Sequence, residues 1–294
     1  MNNINFKITG ICLVMFLASC STDRIQPEEL SAYQNKMVIN GVVSANENIS
    51  IELTDSKAAI DSTLPKLIKD AVATLLTVDQ DYTMVYNDFT ERYESTVQVN
   101  SEESVNLRIT HPNFPNITST VRVPDAPYGS ASLTVDGAED SLGFPVDLLE
   151  LSFIDPGGLQ NYYKLNMYYL NPTLNEWVPL IFDKTDPSLS GYSSFLLDDG
   201  GVIFTDDLFD GKTKSLSTLT PFGITTGNTG DKYRIDFAHV SRDLYKYYKT
   251  IQRAKDARNA SFNGGYNNAV VIHSNIDNGL GILGAQTKIS LILK

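Results

Sequence analysis

The sequence predicts a mainly β chain of two β-sandwich-like domains, the second carrying one amphipathic helix. Three observations predict it. Short runs rich in Val, Ile, Thr, Tyr and Phe recur between Asn, Asp, Ser, Gly and Pro, which is the pattern of strands bounded by turns. Only one stretch holds apolar residues at helical spacing. Pro124-Asp125-Ala126-Pro127 interrupts the chain with a stiff segment, because each proline restricts itself and its predecessor to extended conformations. With 294 residues, 42% of them apolar, the chain has ample material for that much core.

The N-terminus comes first. Lys7 precedes an apolar run from Ile8 to Ala18. That run is too short to cross a bilayer as a helix, which needs about 20 residues, but it suits the apolar region of a secretory signal. Leu17-Ala18-Ser19-Cys20 resembles a bacterial lipobox. The resemblance implies that residues 1–19 are a signal peptide cut before Cys20, whose thiol takes the lipid. Cys12 then leaves with the signal, so the chain keeps no thiol for a disulfide, a nucleophile or a Cys-ligated metal. Residues 20–35 are polar, contain Pro27 and lack periodicity, and read as a tether. In lipoproteins of the Bacteroidota an acidic run after the lipidated Cys directs display on the outer face. Here Asp23 stands close, with Glu28 and Glu29 farther on.

Residues 36–124 form the first predicted domain, with strands at Met37–Val43, Ile49–Leu53, Ala71–Val78, Val105–Thr110 and Ile117–Val123. Residues 40–56, 69–76 and 104–124 together resemble a transthyretin-like, carboxypeptidase-regulatory-type module, a type used mostly as a spacer or docking unit. Residues 128–294 form the second, with strands at Ser132–Val135, Leu148–Phe153, Tyr162–Leu170, Trp177–Phe182, Tyr233–Phe237 and Thr287–Leu293. Alternation along Tyr162–Leu170 puts Tyr163, Leu165, Met167 and Tyr169 on one face, expected to be core.

The helix is predicted over 241–258. Ser241 can cap it and Asp243 suits its first turn. Leu244, Tyr247, Tyr248, Ile251 and Ala254 should face a sheet. Six cations face two acids along it. They serve either as a solvated face or, through Lys246, Lys249 and Arg253, as a docking ridge for an acidic partner.

Composition and motif searches exclude several chemistries. Acids outnumber bases 35 to 23, a net charge of −12, so no basic excess exists to bind nucleic acid. His111, His239 and His273 show no paired spacing for zinc, and no GxSxG marks a serine nucleophile. Asp198, Asp199, Asp206, Asp207 and Asp210 are the best calcium candidates, but without EF-hand spacing they read as acidic turns. Trp177, Tyr162 and Tyr168 offer a sugar-stacking platform, with strand packing as the plainer role. Asp61-Ser62-Thr63 and Asp140-Ser141-Leu142 resemble O-glycosylation acceptors of the Bacteroidota. Gly279-x-Gly281-x-x-Gly284 matches a dinucleotide fingerprint by letter, yet only ten residues follow it, too few for the helix and second strand such a unit needs. These glycines read instead as places where backbones approach closely.

Three motifs in the second domain carry a family resemblance. They are residues 153–163 (FIDPGGLQNYY), 204–212 (FTDDLFDGK) and 274–284 (SNIDNGLGILG). Physically each reads as turn chemistry: a carboxylate for backbone N–H groups, a proline of fixed φ, and glycines free to take positive φ. In this order, behind a lipobox, they resemble the Bacteroidota outer-membrane lipoprotein family named for domain of unknown function 4249. The resemblance implies a location at the outer membrane, lipid-anchored at Cys20 and displayed at the cell surface or on the periplasmic face. It also implies a TonB-dependent transporter as neighbour, with no catalytic residues, cofactor or metal. The expectation is a non-catalytic accessory or cargo-binding lipoprotein. The alternative is an independent cell-surface glycan-binding or adhesion lipoprotein, with an unmarked hydrolase third.

Overall fold

The computed structural model describes residues 33–58, 61–76, 80–180, 186–189, 195–197, 199–220, 233–262 and 270–293. The signal peptide, Cys20, most of the tether and Asp198 lie outside these residues. No described helix is long and apolar enough to cross a membrane.

The fold is mainly β. The strands are β1 (Met37–Ser44), β2 (Ile49–Asp55), β3 (Val72–Leu76), β4 (Asp81–Thr83), β5 (Val85–Asn87), β6 (Arg92–Ser95), β7 (Ser104–His111), β8 (Phe114–Arg122) and β9 (Tyr128–Glu139). They continue with β10 (Pro145–Ile154), β11 (Tyr162–Asn171), β12 (Glu176–Leu180), β13 (Phe195–Leu196), β14 (Val202–Thr205), β15 (Thr213–Leu219), β16 (Tyr233–Val240) and β17 (Leu280–Leu293). The helix α1 spans Arg242–Phe262. A ten-stranded sheet in the order β13-β14-β11-β16-β17-β1-β2-β6-β5, with β12 on β11, forms the middle layer. A four-stranded sheet (β4-β3-β7-β8) and a three-stranded sheet (β15-β10-β9) pack against it.

Residue alternation on β17 shows how the layers are arranged. Leu283 and Ala285 enter the core with Ile39, Ile51, Leu75 and Leu107. On the same face farther along, Ile289, Leu291 and Leu293 pack on the core of Leu151, Phe153, Tyr163 and Phe237. Ile282 points the opposite way, into a third cluster with Ala238, Val240 and Leu244 of the helix. The two small sheets therefore cover one face of the large sheet and α1 covers the other. Tyr163, Leu165 and Met167 are buried as the alternation predicts, with Tyr169 partly so. Tyr162 on the reverse face is also buried, under α1.

The boundary expected at 124–127 does not divide the body: residues 36–294 form one compact unit. β17 runs parallel to β1, Val38 opposite Leu280 through Ser44 opposite Gln286, and antiparallel to β16, so both halves share one sheet. β17 begins at Leu280, seven residues before the expected start, because the glycines of the third motif lie at and within its first turns of pleat. Gly281 has φ +95°, and a Cβ there would collide with the Ile39 carbonyl oxygen. Gly284 leaves room for Leu244 of α1. The helix starts where its cap predicts. Ser241 Oγ accepts the Leu244 N–H at 3.4 Å and the Ala285 N–H at 3.1 Å, tying α1 to β17.

Candidate functional site

The first two motifs meet in space at one end of the large sheet. Asp155 directly follows β10, and its neighbourhood is set by the partner loop after β14. Its carboxylate accepts the Gly211 N–H at 2.8 Å and the buried Tyr163 hydroxyl at 2.5 Å. Its own N–H donates to the Lys212 carbonyl at 3.1 Å. Gly158 N–H donates to Asp210 at 3.0 Å, Asn161 N–H to Asp206 at 2.8 Å, and the Gln160 amide to Asp207 at 2.6 Å. Each motif thus supplies the turn partners of the other. Gly157 and Gly211 meet so closely that a Cβ on either would press on the other backbone.

Carboxylate oxygens of Asp155, Asp206 and Asp210 lie within 4.8 Å of one another, the first two residues buried. These are the residues whose donor set could hold a cation: Asp206 and Asp210 are two of the five acids singled out above, and Asp155 is one the sequence reading did not name. Of those five, Asp199 pairs with Lys164 at 2.7 Å and Asp207 with Gln160. Burial pushes the Asp206 carboxyl above its usual range, and the charges of Asp155 and Asp210 add to this against the lowering effect of the Asn161 N–H. Burial and the bond to Asp155 likewise push the Tyr163 hydroxyl up.

Beside this platform lies a cleft of about 760 Å³. It is lined by Arg122, Asp125, Gln160, Asn161, His239 and Arg242, among others. His239 Nδ1 lies 2.8 Å from Asp125 and its ring stacks on Tyr163. Its Nε2 faces the Asn161 amide nitrogen at 3.3 Å, an arrangement that makes Nδ1 the donor to Asp125 and Nε2 the acceptor. A His–Asp pair is present, then, with an amide where a serine hydrolase needs a hydroxyl. The other histidines also pair with aspartates, His111 with Asp70 at 3.1 Å and His273 with Asp243 at 2.8 Å.

The cations of α1 adjoin the platform. Arg242, Lys246, Lys249 and Arg253 recur at intervals of four, three and four residues, so they share one helix face. The Tyr162 ring packs tilted against that of Tyr245 of α1, with ring centres 4.8 Å apart. Burial pulls the Lys249 ammonium below its usual range, Arg253 adds to this, and Asp207 opposes it. Burial also pushes the Tyr245 hydroxyl up to about 12.

Of the two roles open to Trp177, Tyr162 and Tyr168, the sugar-stacking platform is not assembled and packing, the plainer one, is what the structure shows. Tyr162 lies beneath α1, and the guanidinium of Arg234 occupies the space between Tyr168 and Trp177, 4.3 and 5.0 Å from their ring centres. Asp61 and Asp140 lie in exposed turns and accept backbone N–H groups two residues on. The third motif stands elsewhere. Asn275 clamps Leu283 through both its backbone N–H and carbonyl, and Asp277 bridges Thr118, covering the free edge of β8. Its glycines serve the sheet, as the rejected fingerprint implied. The platform itself was hidden in the sequence, since Asp155 and Gly211 lie 56 positions apart.

No curated protein matches the sequence. Among solved structures, Escherichia coli alpha-2-macroglobulin activated by porcine elastase is similar at 15% identity over 70% of this chain, with a TM-score of 0.22. The match spans only 18% of that longer chain. A biofilm associated protein B domain is similar at 9% identity, covering 87% of this chain and 85% of that one, with a TM-score of 0.20. Scores this low leave the fold to stand on its own description. The sequence model of the family described as Domain of unknown function (DUF4249) matches residues 22–291. The chain, with its interlocked first and second motifs, belongs to the DUF4249 family.

Proposed function

We propose that this protein is a non-catalytic lipoprotein of the Bacteroidota outer membrane, anchored through lipid on Cys20, that serves a TonB-dependent transporter as accessory or cargo-binding partner. The observation that carries the non-catalytic part is the fate of the conspicuous polar residues. Asp155, Asp206, Asp207 and Asp210 each accept a hydrogen bond from the facing loop, and the free nitrogen of the His239–Asp125 pair meets an amide. Side chains so engaged preorganise a surface rather than hold a nucleophile. The lipobox at residues 17–20 supports the anchor, since two or three acyl chains at about 0.8 kcal/mol per buried CH₂ hold a protein at a membrane.

Gentle solubilisation of native membranes, purification of the full chain and mass spectrometry test the reading. A stoichiometric outer-membrane barrel partner is expected, together with release of the Cys20→Ser variant into the soluble fraction. Retention on a glycan array with no barrel partner would replace this reading with adhesion. Hydrolase activity abolished by a single carboxylate substitution would overturn both.

A further inference from the structure

We propose that Leu159 and Leu208, with the α1 stripe of Arg242, Lys246, Lys249 and Arg253, form one docking surface for an acidic protein segment that carries large apolar side chains. The proposal deepens the docking reading above and rests on it.

The two leucines are 80% and 63% exposed, although the loops that carry them are tied to each other by hydrogen bonds. Leu159 lies between Gly158, held by Asp210, and Gln160, held by Asp207. Leu208 follows Asp207 directly, so the 2.6 Å bond between Gln160 and Asp207 ties together the two loops that carry the leucines. A loop fixed in this way holds its apolar tips in water at no gain to the fold. A partner that covers them meets a surface already ordered, with little entropy left to lose. Apolar side chains at the centre of a patch with charge at its rim are the anatomy of a protein–protein contact.

The stripe supplies the rim and the sign of the partner. It extends along α1 over roughly 16 Å at 1.5 Å per residue, starting beside the platform where Tyr245 packs against Tyr162. Leu159 and Arg242 line the same cleft, and the Tyr162 hydroxyl donates to the Gln160 side chain at 2.8 Å, which joins the leucine-bearing loop to the start of the stripe. The full sequence carries −12. A polyanion such as nucleic acid, or an anionic bilayer, is therefore repelled everywhere beyond the stripe, whereas a short segment can set its carboxylates on the stripe and its apolar side chains over the leucines, beside the exposed Asp207 and Asp210.

The test uses the full-length chain in native membranes with a photo-crosslinking amino acid at position 208. A second chain carries the crosslinker at position 89, where Phe89 is 96% exposed on the β5–β6 turn. The position-208 crosslinks are expected in Asp- and Glu-rich segments with apolar side chains. Their yield should fall about fivefold when Lys246, Lys249 and Arg253 are changed to Glu, and similarly at about 0.5 M salt, where the Debye length is only a few ångströms. Circular dichroism should show the reversed variant folded. Crosslinks from 208 to lipid, to basic segments, to nothing, or at a yield indifferent to charge reversal overturn the proposal. A barrel partner captured from 89 and not from 208 overturns this surface while sparing the transporter reading. Absence of any co-purifying partner removes that reading itself.

Discussion

Gly281→Ala is the sharpest test of how the two halves are joined. Gly281 sits opposite Ile39 in the parallel β1–β17 pair, with φ +95°. Two costs follow from adding one methyl group. A side chain at that φ is strained by about 1–3 kcal/mol. The new Cβ also meets the carbonyl oxygen of Ile39, a backbone atom that moves only if the strands separate, and overpacking of this kind costs a further 1–3 kcal/mol. About 4 kcal/mol is expected in total, which for a body of this size lowers Tm by roughly 8–16 °C. Gly284→Ala is the internal control. Its Cβ would meet the side chain of Leu244, 2.7 Å from Cδ1, and a leucine can turn aside. About 1 kcal/mol is expected there. Thermal and urea unfolding of both variants gives the comparison. A Gly281→Ala protein within 1 kcal/mol of the parent, or one more stable than Gly284→Ala, would refute the account of the strand junction.

Two further predictions concern the platform. Tyr163→Phe leaves one Asp155 oxygen without its buried donor while keeping the ring against Phe237, and should cost about 1–3 kcal/mol in urea unfolding; an unchanged midpoint would show the bond to be idle. Asp206 has a folded pKa raised by burial, so its contribution to stability is present below the ordinary carboxylate range and lost as pH rises through the folded value. Asp206→Asn keeps an acceptor for the Asn161 N–H and should therefore raise Tm at pH 8, with the advantage shrinking as pH falls; a larger loss at pH 8 than at pH 4 contradicts the assignment.

Most of the long strands were legible because one of their faces is dry and the other wet. β2, for example, alternates buried and half-buried residues without a break. The elements that escaped lack that contrast. All four residues of β14 are buried, since α1 covers one of its faces and the small sheet the other. β15 is a Ser- and Thr-rich edge strand, and β4, β5 and β6 are too short and polar for alternation to register. The opening of β17 was read as loop because glycine weakens strand propensity, yet there it lets two backbones and a helix approach. The cap of α1, by contrast, was readable from Ser241 alone. In the platform, the residue types told of turns correctly. What they could not tell is that Asp155 and Asp210 each bond the loop of the other, because turn chemistry is local in sequence and these bonds are not.

The placement of β17 also gives the molecule an order of completion. During synthesis its partner β1 emerges early and β17 last, while the two inner layers both need β17 as a wall. Sequence-distant pairing of this sort delays closure and prolongs exposure of apolar surface. A nascent chain halted before residue 280 would show the greasy flanks of β1 and β16 to any holdase nearby.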